Sequence, residues 1–187
     1  MKFITLLILL VFIGFRNSFT VFKGKRPRTK VTSFIYWGRK SIEIVISFLV
    51  PAFILFGFIE TKTTAALYSI GLIASLFGLM LMVWTRLCRD KDWGFMGDDS
   101  GERLFVDGPY QLSRHPYYAG AIFVGIGLYL QLNYLLALLM LPVVLFILHV
   151  TKKEEDFLQN KFGEEYKEYK RRVGFLPWWK GSFSGKK

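Results

Sequence analysis

The sequence predicts an all-α, polytopic membrane protein with about five transmembrane helices and an interfacial amphipathic helix at its C-terminal end. Three observations predict it. The 187 residues are 52% hydrophobic and 18% aromatic, more apolar surface than a single water-soluble core of that length uses. Uncharged runs recur at lengths matched to a bilayer. Of the 25 basic residues, all but Lys2 and Lys62 fall on one side of the topology those runs define, and the positive-inside rule makes that side the cytoplasm.

The first run covers residues 3–15 and lengthens to 3–22 when Arg16 snorkels. A lysine ahead of a short apolar run also opens a secretory signal peptide, but no small-residue cleavage site follows, so a retained span is expected. The runs at 42–60 and 64–85 are separated only by a turn at Glu60, Thr61 and Lys62, which suits nothing but an antiparallel helical hairpin. Residues 117–150 carry no formal charge; as one helix they would reach about 50 Å, well past a hydrocarbon core of about 30 Å. That run must fold back near residues 131–133, which gives spans over 116–132 and 134–151, with Pro142 expected to kink or break the second.

The N-terminus and both hairpin turns are then outside, while the segments 86–116 and 152–187 meet at the cytoplasmic surface. No stretch has linker-like composition, so residues 1–187 are expected to form one membrane-embedded domain. Cys88 is the sole cysteine, which excludes an intrachain disulfide, and no metal site is expected. In a chain with such uncharged runs, the formal charge of +11 is assigned to membrane orientation and lipid contact, with no nucleic-acid partner.

Chemistry is expected where the two cytoplasmic segments converge. Pro116 disfavours helical geometry at His115 and suits a first helical position, so a span should begin at Pro116 with His115 extended just outside it. A helix N-terminus flanked by Arg114 and His115 receives a carboxylate or phosphate well. The plainer reading makes Arg114 a membrane-boundary residue, His115 a cap and Tyr110, Tyr117 and Tyr118 an aromatic belt.

After the last span, Glu154, Glu155 and Asp156 sit in an otherwise basic region, where acids are retained for a partner such as Lys152 or a bound cation. Leu158, Phe162, Tyr166, Tyr169 and Val173 then mark the apolar face of an amphipathic helix bent at Gly163, expected to lie in the interface and cover the site, with Glu168 and Arg172 placed to pair on its wet face. The two clusters together suit a ligand with a carboxylate, an ammonium, a cationic centre and an aromatic base. S-adenosylmethionine has all four. In this reading His115 takes its carboxylate, a glutamate its ammonium or cationic centre, and the tyrosines its adenine.

The stretch DGPYQLSRHPYYAG, followed after an apolar hairpin by EEDFLQNKFGEEYKEYKRRVGFLP, resembles the isoprenylcysteine carboxyl methyltransferase family over about the last 85 residues. The resemblance implies a largely helical membrane fold and an S-adenosylmethionine pocket closed by the C-terminal segment. It implies cofactor contacts at Tyr110, His115, Pro116, Tyr117, Tyr118 and Glu154, and along Arg103, Leu104 and Phe105, leaving Arg114 and Glu155 as the candidate catalytic pair. It further implies methyl transfer to a lipophilic or lipidated acceptor, a prenylcysteine-like carboxylate or, in related enzymes, a phospholipid amine.

One departure bears on the acceptor. Members of that family carry an arginine four residues before the first glutamate, where it meets the acceptor's carboxylate; here the position is Val150, with His149 and Lys152 as the nearby substitutes. The pattern RHPxYxG with a late tyrosine-rich helix also resembles membrane reductases of the sterol reductase type, which would bind NADPH. Multiple phosphates favour a site rich in Arg and Lys, whereas adjacent glutamates favour a ligand with cationic groups.

Overall fold

Thr64 opens the longest helix: its hydroxyl accepts a hydrogen bond from the Leu67 amide at 3.3 Å, supplying a partner to one of the amides that a first turn leaves unpaired. The computed structural model describes residues 4–12, 62–88 and 104–177. They form five helices: α1 (4–12), α2 (Ala65–Cys88), α3 (Pro116–Leu132), α4 (Met140–Phe162) and α5 (Glu164–Arg172), with 3-10 turns at Gly108–Gln111 and Tyr134–Leu139. The expected span at 42–60, residues 13–22 of the first span, Arg103 and the chain beyond Pro177 lie outside the described residues.

Helix α2, with 24 residues, is about 36 Å long. Among the described residues it is the one helix long and apolar enough by itself to cross a bilayer. Helix α3 is apolar but has 17 residues, about 26 Å, so the described residues bear out the all-α class and not the full count of five spans. It begins at Pro116 and gives way to extended backbone at Asn133, where the sequence places the start and the fold-back.

Pro142 does not kink a helix. After Asn133 the chain runs through the 3-10 turn and α4 starts only at Met140, so Pro142 falls in the first turn, where its missing N–H leaves no bond unmade.

Helices α2 and α3 pack antiparallel along a seam of small residues. Gly71, Ser75 and Gly78 of α2 face Gly120, Val124 and Gly127 of α3 so closely that a Cβ on Gly78 would stand 2.5 Å from the Gly120 carbonyl oxygen, and one on Gly127 2.4 Å from that of Gly71. Small residues let two backbones approach where lipid supplies no hydrophobic drive. Opposite the seam, Ile70, Ile73, Met80, Trp84 and Leu87 are exposed at helical spacing, the outward stripe expected of a lipid-facing helix.

Helix α1 joins the same core through Ile8, Leu9 and Phe12 against Leu79, Met82, Val124 and Leu128. A buried polar node ties three helices together. Thr5 donates to Gln131 Oε1 at 2.9 Å, and Gln131 Nε2 donates to Ser75 Oγ at 2.9 Å and to the Gly127 carbonyl at 3.2 Å. At this end the strand ahead of α2 pairs with the loop after α3: the Lys62 amide donates to the Leu132 carbonyl at 3.0 Å and the Tyr134 amide to that of Lys62 at 3.3 Å. The two turns thus sit together, and the start of α3, with its histidine, is carried to the other end of the α2–α3 pair.

Candidate functional site

Ser113 organises the approach to α3. Its hydroxyl accepts from the His115 amide at 3.1 Å and donates to the Phe175 carbonyl, which fixes the loop to the C-terminal strap at one atom. His115, the residue before Pro116, has φ −129° and ψ 61°, extended in φ as a pre-proline residue should be, and its own side chain makes no cap bond. Its ring points inward. It is 3% exposed, with Tyr118 and Phe175 rings 6.0 and 5.7 Å away.

Helix α4 brings Glu154 and Glu155 to that ring. His115 Nδ1 stands 3.7 Å from Glu154 Oε2 and Nε2 stands 3.4 Å from Glu155 Oε1. Arg114 Nε lies 3.0 Å from the same Glu155 oxygen, and Lys170 Nζ lies 2.6 Å from Oε2. Burial works against a charge on Glu155, but the His115 ring, the Lys170 ammonium and the Arg114 guanidinium beside it outweigh it and hold its pKa at about 2. Lys152 is exposed and is not the partner of Glu154, which removes the simple surface ion pair as an account of the acids.

Arg114 is committed in several directions. Its backbone amide donates to the Gly174 carbonyl at 2.9 Å, and its Nη1 donates to the carbonyls of Lys170 and Val173 at 3.1 and 3.0 Å. A guanidinium on the last carbonyls of α5 caps that helix and complements its dipole.

The apolar face read from the sequence is real, and it packs inward. Leu158, Tyr166 and Tyr169 are buried against Leu104 and Tyr110, with Phe105, Phe162 and Val173 at the margin. Tyr169 donates its hydroxyl to the Tyr110 carbonyl at 2.7 Å. The bend is at Gly163, whose φ of +55° is a conformation L side chains rarely adopt. On the outer face Glu164 pairs with Lys167 and lies 4.0 Å from Arg171, and no ion pair joins the expected partners Glu168 and Arg172.

Of the residues singled out in the sequence, Arg114, His115, Glu154 and Glu155 meet directly, with Tyr118 beside the histidine and Pro116 buried behind it. Leu104, Phe105 and Tyr110 line the tyrosine cluster next to them. Tyr117 goes elsewhere and packs on the α1–α2–α3 core. Sequence reasoning missed Ser113, on the loop before α3, and Lys170 and Phe175, which reach the site only through the strap of residues 164–177, and it counted Tyr166 merely as an apolar-face residue. A tyrosine in place of a leucine on a buried face was the available signal for the last.

Several buried polar atoms at this site have no hydrogen-bond partner: Glu154 Oε2, Tyr166 Oη, and His115 Nε2 and Arg114 Nε, the last two approaching Glu155 Oε1 without donor alignment. Such orphans in a buried cluster ask for a ligand or an ion. Among the described residues no group of three or more His, Cys, Asp and Glu side chains is placed to hold a metal. An anionic oxygen beside an imidazole and a phenol suits a ligand that carries an ammonium and a carboxylate, and S-adenosylmethionine fits that donor set.

No curated protein and no solved structure was found to match the chain. The family model for phospholipid methyltransferases matches residues 67–165, which runs from the start of α2 through Glu154 and Glu155 and stops just short of Tyr166. With more than half of its residues matched, the chain belongs to the phospholipid methyltransferase family, which falls in the same group of membrane methyltransferases as the family its motifs resemble.

Proposed function

We propose that this chain transfers a methyl group from S-adenosylmethionine to the amine of a membrane lipid, in a single domain whose site faces the cytoplasm, with the donor held between the start of α3 and the acids of α4. The observation that carries the reading is the buried Glu154 Oε2 beside His115, an acceptor atom with no hydrogen-bond partner. When bound, the donor supplies an electrophilic methyl on a sulfonium, so the protein's task is alignment and exclusion of water more than acid or base chemistry.

The residues divide that task. Glu154 takes the ammonium or the cationic region; His115 and the first turn of α3 take the carboxylate; Tyr118, Tyr110, Leu104 and Phe105 provide the aromatic and apolar walls. Arg114 and Glu155 hold the strap across the site. A carboxyl with a pKa of about 2 is a poor proton acceptor, which suits Glu155 to that electrostatic role.

A lipid amine is favoured over a carboxylate by what faces the site one turn before Glu154. Val150 is fully buried there, while His149 and Lys152 are exposed, and Arg114 is engaged with α5. None of these positions offers a basic group to an anionic acceptor. NADPH is disfavoured for the same reason: the cations nearest the site, Arg114 and Lys170, are both already paired with Glu155.

Membranes containing the protein, given methyl-labelled donor and then extracted, test the reading. Label is expected in a lipid with an amine headgroup. Base-labile label on a carboxyl would leave methyl transfer standing and reverse the choice of acceptor, and oxidation of NADPH with no transfer of label would refute the reading.

A further inference from the structure

Tyr166 lies on α5, past the end of the family match, and the pairing of Glu155 does not use it. It is the largest fully buried side chain among the described residues, 1% exposed, and its hydroxyl has no hydrogen-bond partner. A buried phenol in a protein almost always finds one, since an unmade bond leaves the desolvation of the hydroxyl uncompensated. A phenylalanine would fill the same apolar space among Leu104, Tyr110, Leu158 and Tyr169 without that loss. Tyr169, one turn on, shows the ordinary outcome: its hydroxyl is satisfied by the Tyr110 carbonyl.

The surroundings say what the Tyr166 hydroxyl awaits. Burial and the negative charges of Glu155 and Glu154 push the phenol's pKa far up while Arg114 pulls against them, so the hydroxyl sits within electrostatic reach of all three and stays an O–H donor. It bonds to neither carboxylate. Across the cluster, His115 Nε2 and Glu154 Oε2 are orphaned in the same way, and both belong to side chains less than a tenth exposed. Two potential donors and one anionic acceptor, buried together and unpaired, complement a group that has two acceptor oxygens and one cationic N–H donor.

We propose that Tyr166 is a ligand-binding residue, its hydroxyl donating to the carboxylate of an α-amino-acid moiety whose ammonium is held by Glu154. The assignment rests on the donor reading made above and adds to it a contact from the C-terminal strap. It also gives the strap a second purpose. By carrying Tyr166, α5 senses the amino-acid end of the ligand as well as covering it.

Calorimetric titration of the purified full-length protein with S-adenosylhomocysteine, and with its decarboxylated analogue, which keeps adenosine, thioether and amine, tests this without turnover. Tyr166→Phe is expected to weaken S-adenosylhomocysteine by roughly tenfold or more, the worth of a bond to a charged group, and to leave the decarboxylated analogue unchanged within twofold. An equal loss for both ligands would overturn the proposal in favour of a general packing effect, and so would an unchanged affinity for S-adenosylhomocysteine. If the unsubstituted protein binds neither ligand, the donor reading itself falls. A melting temperature measured on each protein separates misfolding from a lost contact, because phenylalanine preserves the packing of the ring.

Discussion

His115 Nδ1 lies 3.7 Å from Glu154 Oε2, joining the residue just ahead of α3 to the first of the two adjacent glutamates on α4. Neither side chain is satisfied by the other. His115→Ala is expected to raise the KM for the methyl donor by about tenfold or more through loss of a charge-assisted contact, with insertion into membranes unaffected. Lys152→Gln, two residues before Glu154 but exposed, should leave KM within about twofold; equal effects from the two would make His115 a structural cap only.

The strap should loosen in acid. Glu155 has its pKa held down near 2 in the folded protein, below the ordinary value of 4.5, so its contribution to stability is complete above about pH 4.5 and is lost as pH falls toward 2. Thermal melts in detergent across that window should show a falling Tm, and Glu155→Gln should flatten the slope while lowering Tm at pH 7. A slope identical in the variant would assign the acid sensitivity to other carboxyls.

Close approach at the α2–α3 seam predicts intolerance of side chains. Gly78→Leu would drive a branched group into the Gly120 carbonyl and the Val124 amide, backbone atoms that cannot rotate away. A loss of about 3 kcal/mol or more is expected, seen as a fall in Tm and in yield of folded protein. Gly163→Ala meets no neighbour within 4 Å, so its cost of about 1–3 kcal/mol should come from backbone strain alone, φ +55° with ψ −122° being a conformation that glycine alone adopts readily.

Removing the polar node at the opposite end should matter less than its burial suggests. Gln131→Leu breaks the bonds to Thr5 and Ser75, each worth about 0.6 kcal/mol on average inside a membrane. A drop in stability of about 1–2 kcal/mol with unchanged KM is expected. A change in KM would link this end of the bundle to the site.

What was legible in the sequence was what local chemistry dictates. Pro116 marks a helix start wherever it stands after a residue like His115, and a 34-residue uncharged run must turn back, which it does at Asn133. Pro142 was misread because periodicity does not show that a 3-10 turn delays α4 to Met140. The face of Leu158, Tyr166 and Tyr169 was visible, but an amphipathic stripe does not say whether lipid or protein covers it; here Leu104 and Tyr110 do. Lys170 and Phe175 reach the site from far along the chain, through a bend at Gly163 that leaves no mark of its direction in the residues themselves.

The central claim is a donor site shared by the start of α3 and the acids of α4. Equilibrium dialysis of labelled S-adenosylmethionine against the purified protein and its Glu154→Gln variant puts it most directly at risk. One site per chain in the unsubstituted protein, with occupancy at the same ligand concentration reduced about tenfold or more in the variant, is the expected result. Saturable binding that the variant retains in full would contradict it.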